Sequence, residues 1–101
     1  MQVLCRRSGD MVFARLEGEL DHHAAQKVRR ALEEAIRDPA VRQMTMDLSG
    51  LTFMDSSGIG VLLGRYKTLA ARGGWLKVEK AGPGVERIMQ MAGLFSVLRR
   101  G

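Results

Sequence analysis

Cysteine, proline and aromatic residues are scarce in this chain of 101 residues. It contains one cysteine, two prolines, one tryptophan, one tyrosine and three phenylalanines. A single cysteine excludes an internal disulfide and a cysteine-based zinc site, and the strand-like surroundings of Cys5 predict a small, buried apolar side chain. So few aromatic rings do not provide the stacking platform that single-stranded nucleic acids need.

Long apolar runs are also absent. No stretch approaches the roughly 20 apolar residues of a membrane-spanning helix, and the first ten residues, MQVLCRRSGD, lack the apolar core of a secretion signal. We therefore expect no membrane partner and a cytoplasmic location. The apolar content of 46% and charged content of 27% predict one globular domain over residues 1–101, large enough to bury its own core.

The charges are unbalanced but dispersed. Sixteen basic and eleven acidic residues give a formal charge of +5, and the basic residues occur singly or in pairs. Because no recognition-helix or zinc-finger spacing accompanies them, we interpret them as a solvated surface and expect no nucleic-acid partner. The acids are more informative, since Glu17, Glu19 and Asp21 lie together in LEGELDHH.

Periodicity predicts alternating strands and helices. Strands are predicted at Gln2–Arg6, Met11–Leu16, Met44–Leu48 and Trp75–Glu79, with a possible last strand at Phe95–Leu98. Helices are predicted from the N-cap Asp21 to Asp38-Pro39, from about Ile59 to Gly73-Gly74, and from Pro83 to Gly93. The order β-β-α-β-α-β-α(-β) predicts an α/β domain with a four- to five-stranded, mostly parallel mixed sheet and three helices, with one sheet face partly uncovered.

Parallel strands have a consequence for the loops that follow them. The loops after Met11–Leu16 and Met44–Leu48 leave the carboxyl ends of their strands, which meet at one edge of a parallel sheet. We therefore expect Glu17–His23 to lie close to Asp55–Gly60.

The segment FMDSSGIG, residues 53–60, places two serines between an acid and a glycine where the second helix begins. Helix capping alone is one explanation, because Asp, Ser and Gly are favoured N-cap residues. A nucleophilic serine would need a general base. His22 or His23 could come within reach, but the chain lacks the GxSxG elbow, so serine hydrolase chemistry is disfavoured.

Two other chemical interpretations are also weak. Gly58, Gly60 and Gly64 follow GxGxxxG rather than the dinucleotide-binding GxGxxG, and packing explains them better, with Gly64 allowing close approach of the helix to the sheet. His22 and His23 are neighbours on a helix and point roughly 100° apart, which disfavours a metal pair.

The combination of DLSGLTFMDSSGIGVLLGRYK, GELDHH and MAGLF resembles the STAS-domain anti-sigma factor antagonists, or anti-anti-sigma factors, most closely those of the sporulation type. The resemblance covers essentially the whole chain. It implies a binding module, not an enzyme and without a cofactor, that binds an anti-sigma factor with serine kinase activity and so releases a sigma factor for transcription. The kinase then phosphorylates one serine, the product no longer binds, and a PP2C-type phosphatase restores it.

The resemblance also implies the site residues. The phosphoacceptor of the family pattern is the first serine after FMD, which is Ser56, while we expect Ser57 to use its hydroxyl locally. The expected partner-binding residues, none of them catalytic or metal-binding, are Glu19, Asp21, His22, His23, Asp55, Ser56, Ser57, Gly58, Ile59 and Gly60. The alternative is a STAS interaction module of another signalling assembly or a transporter regulator.

A phosphate on Ser56 would add about −1.5 to −2 charges at pH 7. A helix N-terminus tolerates such an anion, so we expect the fold to survive. A partner surface that accepts a neutral hydroxyl would instead meet steric bulk, repulsion and a desolvation cost.

Overall fold

Five strands form one mixed sheet in the computed structural model, which describes all 101 residues. The strands are β1 (Gln2–Ser8), β2 (Met11–Leu20), β3 (Gln43–Met54), β4 (Trp75–Glu79) and β5 (Arg99–Arg100), and they lie side by side in that order. The helices are α1 (His22–Ala35), α2 (Ser56–Ala71) and α3 (Pro83–Met91). Strands β1 and β2 are antiparallel and all other neighbours are parallel, which confirms the predicted fold class.

All three helices cover the same sheet face. Strands β2 to β5 are parallel and lie side by side in sequence order. Right-handed crossovers between such strands place every connecting helix on the same side of the sheet. Alternate strand residues turn into the core under the helices, while their neighbours face the other side, as Phe13, Arg15 and Asp47 do. The predicted partly uncovered face is therefore confirmed, and we call it the open face.

Strands β2 and β3 are longer than predicted, since Met11–Leu16 and Met44–Leu48 both continue to the site. The pairing register between β2 and β3 shifts between Arg15 and Glu17 and again between Gly18 and Glu19. Each shift accommodates an extra residue of β3, and regular pairing continues beyond it. Gly18 lies beyond the predicted end of β2, but it adopts φ +113° within the strand. A glycine bulge looks like a strand end in the sequence alone.

The predicted strand Phe95–Leu98 is wrong in position. Gly93 ends α3 in a left-handed conformation (φ +74°), and residues Leu94–Ser96 form a 3₁₀ turn in which the Leu98 N–H donates to the Leu94 carbonyl at 2.8 Å. The chain therefore stays coiled through Leu98, and only Arg99–Arg100 pairs with β4.

Cys5 is exposed, contrary to prediction. Strand β1 forms the edge of the sheet, and six of its seven residues are exposed, so strand character does not imply burial there. No helix of the structure is both long and apolar enough to cross a membrane.

Candidate partner-binding and phosphorylation site

The carboxyl ends of β2 and β3 lie side by side and deliver two helix starts to one edge. Glu19 pairs in register with Phe53, and Leu20 pairs with Met54. The Asp55 N–H then donates to the Leu20 carbonyl at 3.3 Å. The predicted proximity of the two segments is confirmed from Glu19 onward.

Asp55 caps helix α2. Its Oδ1 accepts from the N–H of Ser57 at 2.9 Å and from the N–H of Gly58 at 3.4 Å, so the acid satisfies backbone donors that a helix N-terminus leaves free. Ser56 is the first residue of the helix and is exposed, and its hydroxyl makes no hydrogen bond within the chain. Capping therefore accounts for Asp55 but not for Ser56.

Ser57 differs from Ser56 in exposure rather than in hydrogen bonding. The Ser57 hydroxyl forms no hydrogen bond within the chain, so the expectation that it acts locally is wrong; the cap uses the Ser57 N–H instead. Ser57 is half-buried where Ser56 is exposed. Of the two hydroxyls, that of Ser56 is the more accessible to a kinase.

Gly58 lets α2 begin directly on the strand ends. A Cβ at this position would lie 2.7 Å from Met54 Cγ and 2.9 Å from Leu20 Cγ, closer than real side chains allow. Gly64, expected to make the close approach, has no neighbour within 4 Å of the point that a Cβ would occupy. The close contact therefore lies in the first turn, where it fixes the position of Ser56.

Helix α1 starts at the same edge with an equivalent cap. Asp21 Oδ1 accepts from the Ala24 N–H at 3.0 Å, and this hydrogen bond holds the pKa of Asp21 below its ordinary value. His22 and His23 are both exposed, with ring centroids 3.9 Å apart.

Beside this helix start lies a surface depression that does not include Ser56. Its volume is about 520 Å³, and it is lined by Met1, Gly18, Glu19, Asp21, His23, Ala24 and Lys27. Only three of the predicted partner-binding residues therefore share this depression, while the first turn of α2 forms the adjoining part of the edge. Met1 and Lys27 were not predicted, because their positions depend on the packing of the N-terminus against Gly18.

The three clustered acids do not form one group. Glu19 is exposed beside the site, and Asp21 caps α1. Glu17 instead pairs with Gly50, three residues or about 10 Å before the end of β2, and its Oε2 lies 3.4 Å from Arg15 Nη2. The expectation that Glu17 shares this edge is therefore wrong, and its charge is partly compensated.

Phe53 was missed as a site residue. It is 47% exposed beside Glu19 at the end of β3, beyond the predicted end of this strand at Leu48. If β3 had been extended to the buried Met54, the two-residue strand period would have placed Phe53 on the open face.

Comparison with known proteins places the chain in a family. The STAS domain model matches residues 2–100. The protein belongs to the STAS domain family.

Proteins that the chain is similar to include anti-sigma factor antagonists. The chain is 40% identical to the anti-sigma F factor antagonist of Paenibacillus polymyxa over 98 residues, which are 97% of this chain and 84% of the relative. Its structure matches unphosphorylated SpoIIAA, an anti-sigma factor antagonist, with a TM-score of 0.79 and 32% identity over 99% of this chain and 87% of the other. For phosphorylated SpoIIAA of Bacillus the TM-score is 0.77 and the identity 33%, over 99% and 91% of the two chains.

Proposed function

We propose that this protein is an anti-sigma factor antagonist whose binding is switched off by phosphorylation of Ser56. The observation that supports this proposal is the exposed hydroxyl of Ser56, which makes no hydrogen bond within the chain. Ser56 is the first residue of α2, and Asp55 and Gly58 fix the position of this helix start. Relatives of the same fold are named as antagonists of anti-sigma factors, and one has been solved in both phosphorylation states.

The unphosphorylated protein would bind an anti-sigma factor through the edge formed by the two helix starts. That edge carries the exposed Glu19, His22, His23, Ser56 and Gly60. Binding would displace the sigma factor, which then directs transcription in the cytoplasm; the match to sporulation proteins suggests a sporulation-type sigma factor.

The anti-sigma factor is also the proposed serine kinase. A phosphate on Ser56 would stand next to the Asp55 carboxylate and near Glu19, so one edge would become strongly negative. A surface shaped around a neutral hydroxyl would lose contact by bulk and by desolvation of the dianion. A PP2C-type phosphatase would reverse the modification.

This proposal makes the protein a binding module rather than an enzyme. Neither Ser56 nor Ser57 has a hydrogen-bonded general base, which serine nucleophiles require. The two histidine rings contact each other at the start of α1.

The test is phosphorylation by the cognate anti-sigma factor. The purified partner and ATP should place one phosphate on Ser56, located by peptide fragmentation, and Ser56→Ala should remain unmodified while the control Ser57→Ala is modified. Phosphorylation should abolish co-elution with the partner, and a PP2C-type phosphatase should restore it. Phosphate on Ser57, or persistent modification of Ser56→Ala, would contradict the assignment. Failure to bind the anti-sigma factor would favour a module of another assembly.

A further inference from the structure

Among the five phenylalanine, tryptophan and tyrosine side chains, only Phe53 is exposed without a guanidinium over its ring. Three of the other four rings carry an arginine guanidinium at 4.1–5.4 Å from the ring centroid: Arg6 over Phe13, Arg99 over Trp75 and Arg100 over Phe95. The fourth, Tyr66, packs against the core. Phe53 is 47% exposed and carries no such guanidinium.

The backbone presents this ring rigidly. Phe53 is paired with Glu19 across the β2–β3 ladder, and the next residue, Met54, is buried. On its other side the Thr52 hydroxyl donates to the Gly18 carbonyl at 3.1 Å. A ring held on a fixed strand end loses little conformational entropy when a partner covers it.

The Glu19 carboxylate beside the ring has no cation of its own. Glu19 lies on the neighbouring strand, about 4.8 Å away between backbones, and it shares the open face with Phe53 because Leu20 and Met54 both turn into the core. None of the seven ion pairs in the structure involves Glu19. The negative face of the ring and the Glu19 carboxylate therefore favour the same kind of ligand group, a cation.

We propose that the anti-sigma factor places a basic side chain on the exposed face of Phe53, next to the Glu19 carboxylate. The partner would thereby supply the contact that Arg6, Arg99 and Arg100 make to other rings within this chain. This inference rests on the proposed function and identifies an anchor for it. The anchor is distinct from the phosphoacceptor Ser56 and lies three residues before it.

The test separates a cation from an apolar pocket as the group that covers Phe53. Affinity for the purified anti-sigma factor is measured with unphosphorylated Phe53→Leu, which keeps an apolar side chain without a π-face, and Phe53→Trp, which has the better π-face. Phe53→Leu should weaken binding about five- to thirtyfold, the range of a partly desolvated cation–π contact, while Phe53→Trp should bind within about twofold of wild type or more tightly. Near-wild-type binding by Phe53→Leu together with weak binding by Phe53→Trp would indicate an apolar pocket and overturn the proposal.

A matched control is Phe13→Leu. Phe13 is a phenylalanine of similar exposure, 38%, on the same open face, but Arg6 already covers it and it lies near the start of β2. Its substitution should change affinity by less than about twofold, and all variants should melt cooperatively. In Glu19→Gln, Phe53→Leu should cost less than it does in wild type, because both residues contact one cation; full additivity would contradict the shared contact. If wild type itself does not bind, the proposed function fails; if wild type and Phe53→Leu bind alike, only this inference fails.

Discussion

Phosphorylation of Ser56, or its replacement in Ser56→Asp, should leave the free energy of unfolding within about 1 kcal/mol of the unmodified value. The Ser56 side chain is exposed and makes no hydrogen bond that either change would break. The added charge lies at the N-terminus of a helix that runs from Ser56 to Ala71, where an anion is favoured by about 0.3–1 kcal/mol when exposed.

The opposing term is repulsion from Asp55. Two unit charges about 4 Å apart in bulk water repel by about 1 kcal/mol, and salt reduces this further. The attraction of the helix end and the repulsion of the neighbouring carboxylate are thus of similar size and largely offset each other. For a domain of this length, 1 kcal/mol corresponds to a shift of about 4–8 °C in Tm, so both forms should melt within that range of wild type.

The matched control changes the cap instead of the serine. Asp55→Ala removes the hydrogen bonds to the Ser57 and Gly58 N–H groups, at 2.9 and 3.4 Å, and should cost about 1–2 kcal/mol. Ser56→Ala should be neutral, because no contact is lost.

The assay is urea and thermal unfolding followed by circular dichroism, with phosphorylation stoichiometry verified by mass. Aspartate carries one charge and a different shape, so the phosphorylated protein is the decisive sample. Loss of cooperative unfolding in the phosphorylated form, or destabilisation larger than that of Asp55→Ala, would refute the view that the modification acts on the interface and not on the fold.

Three further predictions concern charge. Glu19→Gln should lower the association rate with the anti-sigma factor and flatten the salt dependence of that rate in stopped-flow experiments. Glu17→Gln should have a smaller effect, because Arg15 partly compensates the charge of Glu17. Equal effects of the two substitutions would contradict the separation of these acids. Arg65→Met should leave the free energy of unfolding in urea unchanged or raise it by about 1–3 kcal/mol. Arg65 is only 7% exposed, and its Nε and Nη1 lack hydrogen-bond partners. Marked destabilisation would show that this guanidinium is better satisfied than its contacts indicate. Backbone hydrogen bonds lower the pKa of Asp21 and Asp47 in the folded state. The stabilising contribution of these carboxylates is therefore present above their ordinary pKa near 3.8 and is lost as the pH falls through the lowered folded pKa values. The free energy of unfolding of Asp21→Asn should therefore fall less steeply with decreasing pH than that of wild type.

The order of the elements could be predicted because the signals behind it are local. Apolar spacing and end signals such as Asp21 and Pro83 depend on residues within one or two turns. The α/β class and the meeting of the two loops followed from that order, because parallel strands share an edge for their carboxyl ends. The motif FMDSSG indicated the segment at the start of α2, but whether Ser56 is its phosphoacceptor stays a prediction.

Most errors of the sequence-based predictions depend on distant neighbours, although the misplaced strand at Phe95–Leu98 reflects a local turn. The bulge at Gly18 and the pairing of Glu17 with Gly50 involve paired residues that are more than thirty positions apart in the chain. The exposure of Cys5 follows from the edge position of β1, and the tight contact at Gly58 follows from the crossing of α2 over Leu20 and Met54.

The sequence by itself therefore determined the type and order of the three helices and the first four strands, the cap of the first helix and the family, because local hydrogen bonding, periodic burial and short motifs decide these features. Only the tertiary structure decided which acids share an edge with Ser56, and that Phe53 is the aromatic ring left uncovered. Exposure and charge compensation are set by the side chains that other strands and helices bring close, and the order of residues along one chain does not specify those distances.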